Sequence, residues 1–280
     1  VAVMAGCPVC EAPVLAGESY CEACGHALGA PACVSCGAAA VDAEGYCERC
    51  GLRQPTGRDH AETVLACGAA AVTDRGLRRP RNEDAVALLQ AGGAVVAVVC
   101  DGVGSSPRAD EASAAAAETA AAALARGASQ AEAFELAARA VAKLATSVDD
   151  APACTYVAAV AEGGTVTLGW AGDTRAYWLP RSSPAATPLT ADDAVETGEL
   201  TAWLGADAGE VRPRVRTLAP REPGLLLVCS DGLWRYLDGY AFPASGTPVE
   251  MARELLRHAL DAGGQDNVTI ALIPLGEVHG

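Results

Sequence analysis

The sequence predicts an α+β fold, a sandwich of antiparallel β-sheets with helices outside, preceded by a small cysteine-rich domain. Three observations predict it. Apolar strand-like runs come in pairs joined by turn residues, as at Ala85–Leu89 and Ala94–Cys100 around Ala91-Gly92-Gly93. Two helical patterns, 110–125 and 129–146, sit together between strand groups and do not alternate with single strands. Eight of the 12 cysteines crowd into the first fifty residues, so that segment has a framework of its own.

The cysteine-rich segment is an internal duplication. Its pairs are Cys7/Cys10, Cys21/Cys24, Cys33/Cys36 and Cys47/Cys50, and a shift of 26 residues lays each cysteine of the first half on one of the second. Tyr20, Glu22 and Gly25 fall on Tyr46, Glu48 and Gly51 in the same shift. Two cysteines three apart on a tight turn present two thiolates to one tetrahedral ion, and two such turns close a structural zinc site. Because the unit itself is repeated, Cys7, Cys10, Cys21 and Cys24 are expected on one zinc and Cys33, Cys36, Cys47 and Cys50 on a second. An interleaved cross-brace is the competing arrangement; tandem redox dithiols are a third. The segment resembles a double zinc ribbon. With Arg49 and Arg53 nearly its only cations, a protein partner suits it better than nucleic acid, and His26 reads as a surface residue beside four available thiolates.

Residues 1–53 are thus read as the double ribbon, 54–61 (QPTGRDHA) as a linker, and 62–276 as the large domain. Residues 62–73 read as a strand, followed by an arginine-rich turn, 74–84. The run 94–100 is apolar throughout and ends in Asp-Gly, the pattern of a strand buried on both faces. Acidic residues open the alanine-rich helix at 110–125, and a Ser-x-x-Glu capping box opens the helix at 129–146. Strands follow at 155–161, 165–171 and 176–179, then a polar stretch at 180–199 and a short apolar segment at 200–204. Strands near 215–218 and at 225–229, a helix around 248–262 and a last strand at 267–274 complete the domain.

Composition narrows the function. A formal charge of −15 disfavours a nucleic-acid surface, since phosphate backbones need clustered Lys and Arg. No run approaches 18 apolar residues and no basic-then-apolar leader opens the sequence, so a cytoplasmic protein is expected. A single lysine, abundant alanine and arginine, and Val at position 1 suggest a bacterial gene rich in G and C with a non-AUG start.

Chemistry is carried by carboxylates. Asp84, Asp101, Asp231 and Asp266 occupy turn or strand-end positions in the strings Arg-x-x-Asn-Glu-Asp, Asp-Gly-Val-Gly, Ser-Asp-Gly-Leu-Trp and Gln-Asp-Asn-Val-Thr. Any one of them alone reads as a turn or a cap. An aspartate at the end of a buried strand is costly unless neutralised, and oxygen donors without histidine favour Mg²⁺ or Mn²⁺. Cys100 and Cys229 adjoin these strings but read as small buried apolar residues.

Taken together the strings resemble the metal-dependent Ser/Thr protein phosphatases of the 2C type, the PPM family, over about residues 62–275. Gly169–Tyr177 (GWAGDTRAY) looks like the family's Gly-Asp-Ser-Arg strand and Leu189–Asp192 like its Leu-Thr-x-Asp. The resemblance implies a β-sandwich flanked by helix pairs (α-β-β-α) and a protein-serine/threonine phosphatase. It implies two Mn²⁺ or Mg²⁺ bridged by Asp101, with the Gly102 carbonyl, Asp84, Asp231 and Asp266 completing their shells. It further implies Arg79 as phosphate clamp, Asp150 as ligand of a third, weaker metal, and Glu83 beside the metals. A water shared by the two ions would be acidified for in-line attack on the phosphate. The sequence departs from the family at Ser105-Ser106, which replace a glycine and a histidine, at Ala153-Cys154-Thr155, and at Thr174. None of these removes a ligand. The implied partners are a phosphorylated protein of a Ser/Thr kinase pathway and a protein docking on the ribbons. The rival reading is a silent phosphatase-fold scaffold that binds its partner through the ribbons, which retention of the clustered aspartates disfavours.

Overall fold

The computed structural model describes residues 5–276 except 8, 15–19, 26–27, 29–32, 34–35, 43–44, 52–53, 55–56, 148–149 and 244. Two compact units divide the chain, Val1–Thr56 and Gly57–Gly280. In the first, β1 (Ala5–Gly6) pairs antiparallel with β2 (Pro13–Val14), and Val41 bridges Cys47. His26 and Arg53 lie outside the described residues.

The second unit begins with β3 (His60–Val64), β4 (Ala70–Asp74), β5 (Ala85–Ala91) and β6 (Ala94–Cys100), then α1 (Ala109–Ala125) and α2 (Gln130–Ala142). It continues through β7 (Ala153–Cys154), β8 (Tyr156–Glu162), β9 (Thr165–Ala171), β10 (Arg175–Pro180), β11 (Thr187–Pro188), β12 (Leu204–Gly205), β13 (Arg214–Leu218) and β14 (Gly224–Cys229). A single turn, α3 (Asp231–Trp234), then α4 (Pro248–Asp261) and β15 (Val268–Leu275) end it.

Two antiparallel sheets form, one ordered β11-β10-β14-β15-β4-β3 and the other β13-β9-β8-β6-β5. Between them Ala97, Val99, Val157, Leu168 and Trp170 meet Ala71, Trp178, Leu226, Val228 and Ile273. The opposite faces are covered too. Val96, Val98 and Ala158 lie under Ala116, Ala120 and Phe134 of α1 and α2. Ile270, Leu272 and Leu227 lie under Met251 and Leu255 of α4. The layers are therefore α-β-β-α, the expected architecture. Covering on both sides is why 94–100 has no polar alternation: Val96 through Cys100 are all fully buried. The alanines of α1 let it approach β6 closely, and α2 and α4 open with the capping boxes Ser129/Glu132 and Thr247/Glu250.

Three local expectations change. Residues 62–73 are not one strand but the hairpin β3–β4, which turns at Gly68 (φ +86°), where the Gly68 N–H donates to the Leu65 carbonyl. The apolar segment 200–204 supplies only the Ala194–Leu200 bridge and the two-residue β12. Asp231 does not end a strand; it starts α3. Among the described residues no helix is long and apolar enough to cross a membrane.

Candidate active site and cysteine clusters

The carboxylates gather at one end of the sandwich, where both sheets deliver strand ends. Asp101 follows β6. Its N–H donates to Thr155 Oγ1 (3.0 Å) and its carbonyl accepts the Thr155 N–H (2.8 Å), which ties the end of β6 to the start of β8. Gly102 must be glycine: a Cβ there would lie 2.8 Å from both the Glu83 carbonyl oxygen and the Ala109 Cβ. Asp84 precedes β5 and is buried. Its Oδ2 accepts from Ser230 Oγ (2.7 Å), while its Oδ1 is buried with no partner. From the other sheet, β14 runs into Ser230 and Asp231, whose Oδ1 is likewise buried and unpartnered. Gly232 lets this turn sit directly on the Asp266–Asn267 segment, since a Cβ on it would come within 1.9 Å of the Asn267 carbonyl oxygen.

Asn267 holds the remaining pieces together. Its Nδ2 donates to the carbonyls of Arg75 (2.8 Å) and Arg81 (2.9 Å), and its Oδ1 accepts the Glu83 N–H (2.8 Å). One side chain thus pins the loop that carries Arg79, Glu83 and Asp84 against Asp266. Arg79 reaches Asp266 with Nη2 2.6 Å from Oδ2. The resulting cavity, about 630 Å³, is lined by Arg79, Glu83, Asp101, Gly102, Asp231 and Asp266 among others. Asp84 is buried and lies outside this lining, with its charge felt by Asp101.

Burial and mutual repulsion oppose ionisation here. Burial foremost, against help from Ser230, pushes the Asp84 carboxyl up to about 7. Burial, then the charges of Asp84, Asp231, Asp173 and Asp266, pushes Asp101 well above the usual carboxylate range. Burial raises Asp231 and Glu83 as well. Two unpartnered buried carboxylate oxygens among repelling neighbours fit one remedy, a divalent cation, and an all-oxygen donor set suits Mg²⁺ or Mn²⁺.

Asp150 is not brought to this cavity. Its Oδ2 accepts from Arg108 Nη2 (2.7 Å) and closely from Thr146 Oγ1, and Arg108 is further fixed to the Leu144 carbonyl (2.7 Å). The substituted loop is closed by Ser106: its Oγ donates to the Val103 carbonyl (2.8 Å) and accepts the Ala153 N–H (3.1 Å). Cys100, Cys154 and Cys229 are fully buried, and burial pushes the Cys100 and Cys229 thiols up, away from nucleophilic form.

Asp173 and Arg235 are among the cavity-lining residues that the sequence patterns did not single out. Asp173 follows Gly172 at the end of β9, and its carboxyl is pushed up to about 6 by burial and by Asp231 and Asp192. Its signal was a third strand end followed by glycine and aspartate. Arg235 lies four residues after Asp231, with Nη2 2.6 Å from Asp231 Oδ2; that i,i+4 spacing was its signal.

In the first unit the Sγ atoms of Cys7, Cys10, Cys21 and Cys24 all lie within 4.8 Å of one another, as do those of Cys33, Cys36, Cys47 and Cys50. Cys7–Cys24 and Cys10–Cys21 are each 3.6 Å apart; Cys33–Cys50 is 3.7 Å and Cys36–Cys47 3.6 Å. A tetrahedral ion with sulfur at about 2.3 Å sets an S···S edge of about 3.8 Å, so both clusters have the size of a zinc site. The grouping follows the repeat and is not interleaved. Glu11, Gly25, Gly37 and Gly51 all take positive φ, 62–74°, in the turn after each second cysteine.

A family model described as protein phosphatase 2C matches residues 78–263, leaving the cysteine clusters outside. No curated protein matches. Among solved structures, the chain is similar to the serine/threonine phosphatase Stp1 of Staphylococcus aureus, with 22% identity and a TM-score of 0.66 over 78% of this chain and 98% of that one. It is similar to the S. agalactiae serine/threonine phosphatase, with 20% identity and a TM-score of 0.65 over 78% and 100%. It is also similar to the catalytic domain of the serine/threonine protein phosphatase PstP in complex with two manganese ions, with 26% identity and a TM-score of 0.59 over 75% and 98%.

Proposed function

Since the chain belongs to the protein phosphatase 2C family, we propose that it removes phosphate from phosphoserine and phosphothreonine in proteins, with two Mn²⁺ or Mg²⁺ held by the carboxylate cluster. The observation that carries this is a pair of buried, unpartnered oxygens: Asp231 Oδ1, on a residue that lines the cavity with Asp101 and Arg79, and Asp84 Oδ1, buried outside that lining. When bound, the ions supply an acidified water and charge to polarise the phosphate. Asp101 would bridge them, with Asp84, Asp231, Asp266 and the Gly102 carbonyl as the other donors. Asp150, held by Arg108, is left out of that set. Arg79 would leave Asp266 for the phosphate, where its planar fork can bind two oxygens and follow the charge that develops on them. Glu83 lies beside Arg79 and supports its charge. The Asn267 pins keep the arginine loop and the ligand-bearing turns in one register.

The cysteine clusters would each hold a structural zinc, forming a ribbon unit that docks a protein partner or regulates the phosphatase. The substrate would be the target of a Ser/Thr kinase, and the protein would work in the cytoplasm. The test is release of phosphate from a phosphothreonine peptide with Mn²⁺, abolished by EDTA and by Asp101→Asn. A folded, Mn²⁺-loaded sample without turnover refutes the enzyme and leaves the scaffold.

A further inference from the structure

Two guanidiniums converge on the carboxylate cluster, and the function proposed above uses only Arg79. The other is Arg235, at the end of α3. Its side chain is 57% exposed, lines the cavity, and keeps its guanidinium carbon 5.7 Å from the centroid of the Trp234 ring. Arg79 and Arg235 are the two cations among the described cavity-lining residues. They arrive from different elements, Arg79 from the β4–β5 loop and Arg235 from α3, and both lower the Asp231 carboxyl.

The neighbouring Arg175 shows what a closed arginine looks like. It stacks 3.5 Å above Trp234 and holds Asp192 through two bonds, 2.8 Å from Nε and 2.7 Å from Nη2. Among the described residues Arg235 has a single ion-pair partner, and that partner is a carboxylate with a second oxygen still unmet. A divalent ion is a stronger claimant on Asp231 than an exposed guanidinium. Once the ion takes it, the Arg235 guanidinium is released to another anion, and the cavity it lines is where the phosphate would come.

We propose that Arg235 is a second phosphate-binding residue, which leaves Asp231 when metal binds and closes on the substrate phosphate together with Arg79. This rests on the phosphatase reading. It differs from a purely structural role, in which Arg235 props Asp231 in place for the metal. A prop predicts weaker metal binding when it is removed; a competitor for Asp231 predicts metal binding that is unchanged or tighter.

The experiment uses the full chain as wild type, Arg235→Ala and Arg235→Lys. Calorimetry measures Mn²⁺ binding, then inorganic phosphate binding to the Mn²⁺-loaded protein, beside kinetics on an aryl phosphate and a phosphothreonine peptide. Arg235→Ala should weaken phosphate binding by about ten- to a hundredfold, the loss of one charge-assisted contact, and raise KM for both substrates while kcat holds. Arg235→Lys should recover part of it, and Mn²⁺ affinity should not fall. Unchanged phosphate binding overturns the proposal. So does a phosphate loss wholly matched by a loss of Mn²⁺, or a KM effect confined to the peptide. If the loaded wild type hydrolyses neither substrate, the phosphatase reading fails, and phosphate binding to the three proteins still decides the role of Arg235.

Discussion

The carboxylate cluster should make the metal-free protein less stable as pH rises, and Asp84→Asn should remove part of that loss. Asp84 is buried, and its carboxyl moves from 3.8 to about 7. It therefore holds its proton more tightly folded than unfolded, so its contribution is fully present below about pH 4 and is lost as pH climbs through about 7. The displacement corresponds to on the order of 4 kcal/mol. The substituted asparagine cannot ionise, still accepts from Ser230 Oγ, and presents an amide to Asp101. Because the other carboxylates share the repulsion, the gain at pH 8 should be about 2–4 kcal/mol, or roughly 5–15 °C in melting temperature. Near pH 4.5 it should vanish. All four tryptophans, Trp170, Trp178, Trp203 and Trp234, lie in the second unit, so their fluorescence follows that unit alone. Melts of metal-free wild type and variant between pH 4.5 and 8 are the assay. Added Mn²⁺ should raise the wild type most at pH 8 and the variant much less. Parallel curves across the whole range would show that the buried carboxyl carries no such cost.

Three further outcomes follow from the same geometry. Gly232→Ala drives a Cβ to 1.9 Å from the Asn267 carbonyl oxygen and should cost about 3 kcal/mol or more, read by urea titration; a loss under about 1 kcal/mol would mean the turn is free to shift. Cys21→Ala and Cys47→Ala should each release one of about two zinc ions per chain, counted by a chelating dye, because the clusters are separate. Both ions leaving with either variant would indicate a shared site. Asn267→Ala frees the carbonyls of Arg75 and Arg81 and the Glu83 N–H, and should lower kcat/KM by about tenfold or more with Mn²⁺ affinity reduced as well.

Much of this architecture was legible because burial on both faces leaves an unbroken apolar run. Residues 94–100 and 225–229 fall almost on β6 and β14 for that reason. The cysteine grouping was legible because a duplication names its own unit. The β3–β4 hairpin was not, since its turn is built from Ala66, Cys67 and Gly68, and a single glycine among small residues gives little sign of a reversal. The partner of Asp150 was hidden for a different reason. Arg108 takes a left-handed conformation (φ 49°), which no local pattern assigns to an arginine, and the contact that fixes it spans 42 residues. Asn267 was quoted only as part of a string, and its role depends on three backbone groups that tertiary folding alone brings near.

These last residues explain how the site tolerates its own repulsion. Asp84 and Asp101 flank the β5–β6 hairpin of one sheet, while Asp231 and Asp266 flank β14 and β15 of the other. Asp101, Asp231 and Asp266 adjoin β6, β14 and β15, strands buried almost throughout, so these ends cannot retreat from one another without opening the core. Gly102 and Gly232 remove the side chains that would hold the two halves apart, and Asn267 laces the intervening loop across the gap. Arginines take up part of the charge: Arg79 sits on Asp266 and Arg235 on Asp231, each at 2.6 Å. Both are substantially exposed, and neither reaches Asp84 Oδ1 or Asp231 Oδ1. The fold thus holds carboxylates closer than guanidiniums can neutralise, and the remaining demand is for small, doubly charged ions at a depth the arginines do not reach.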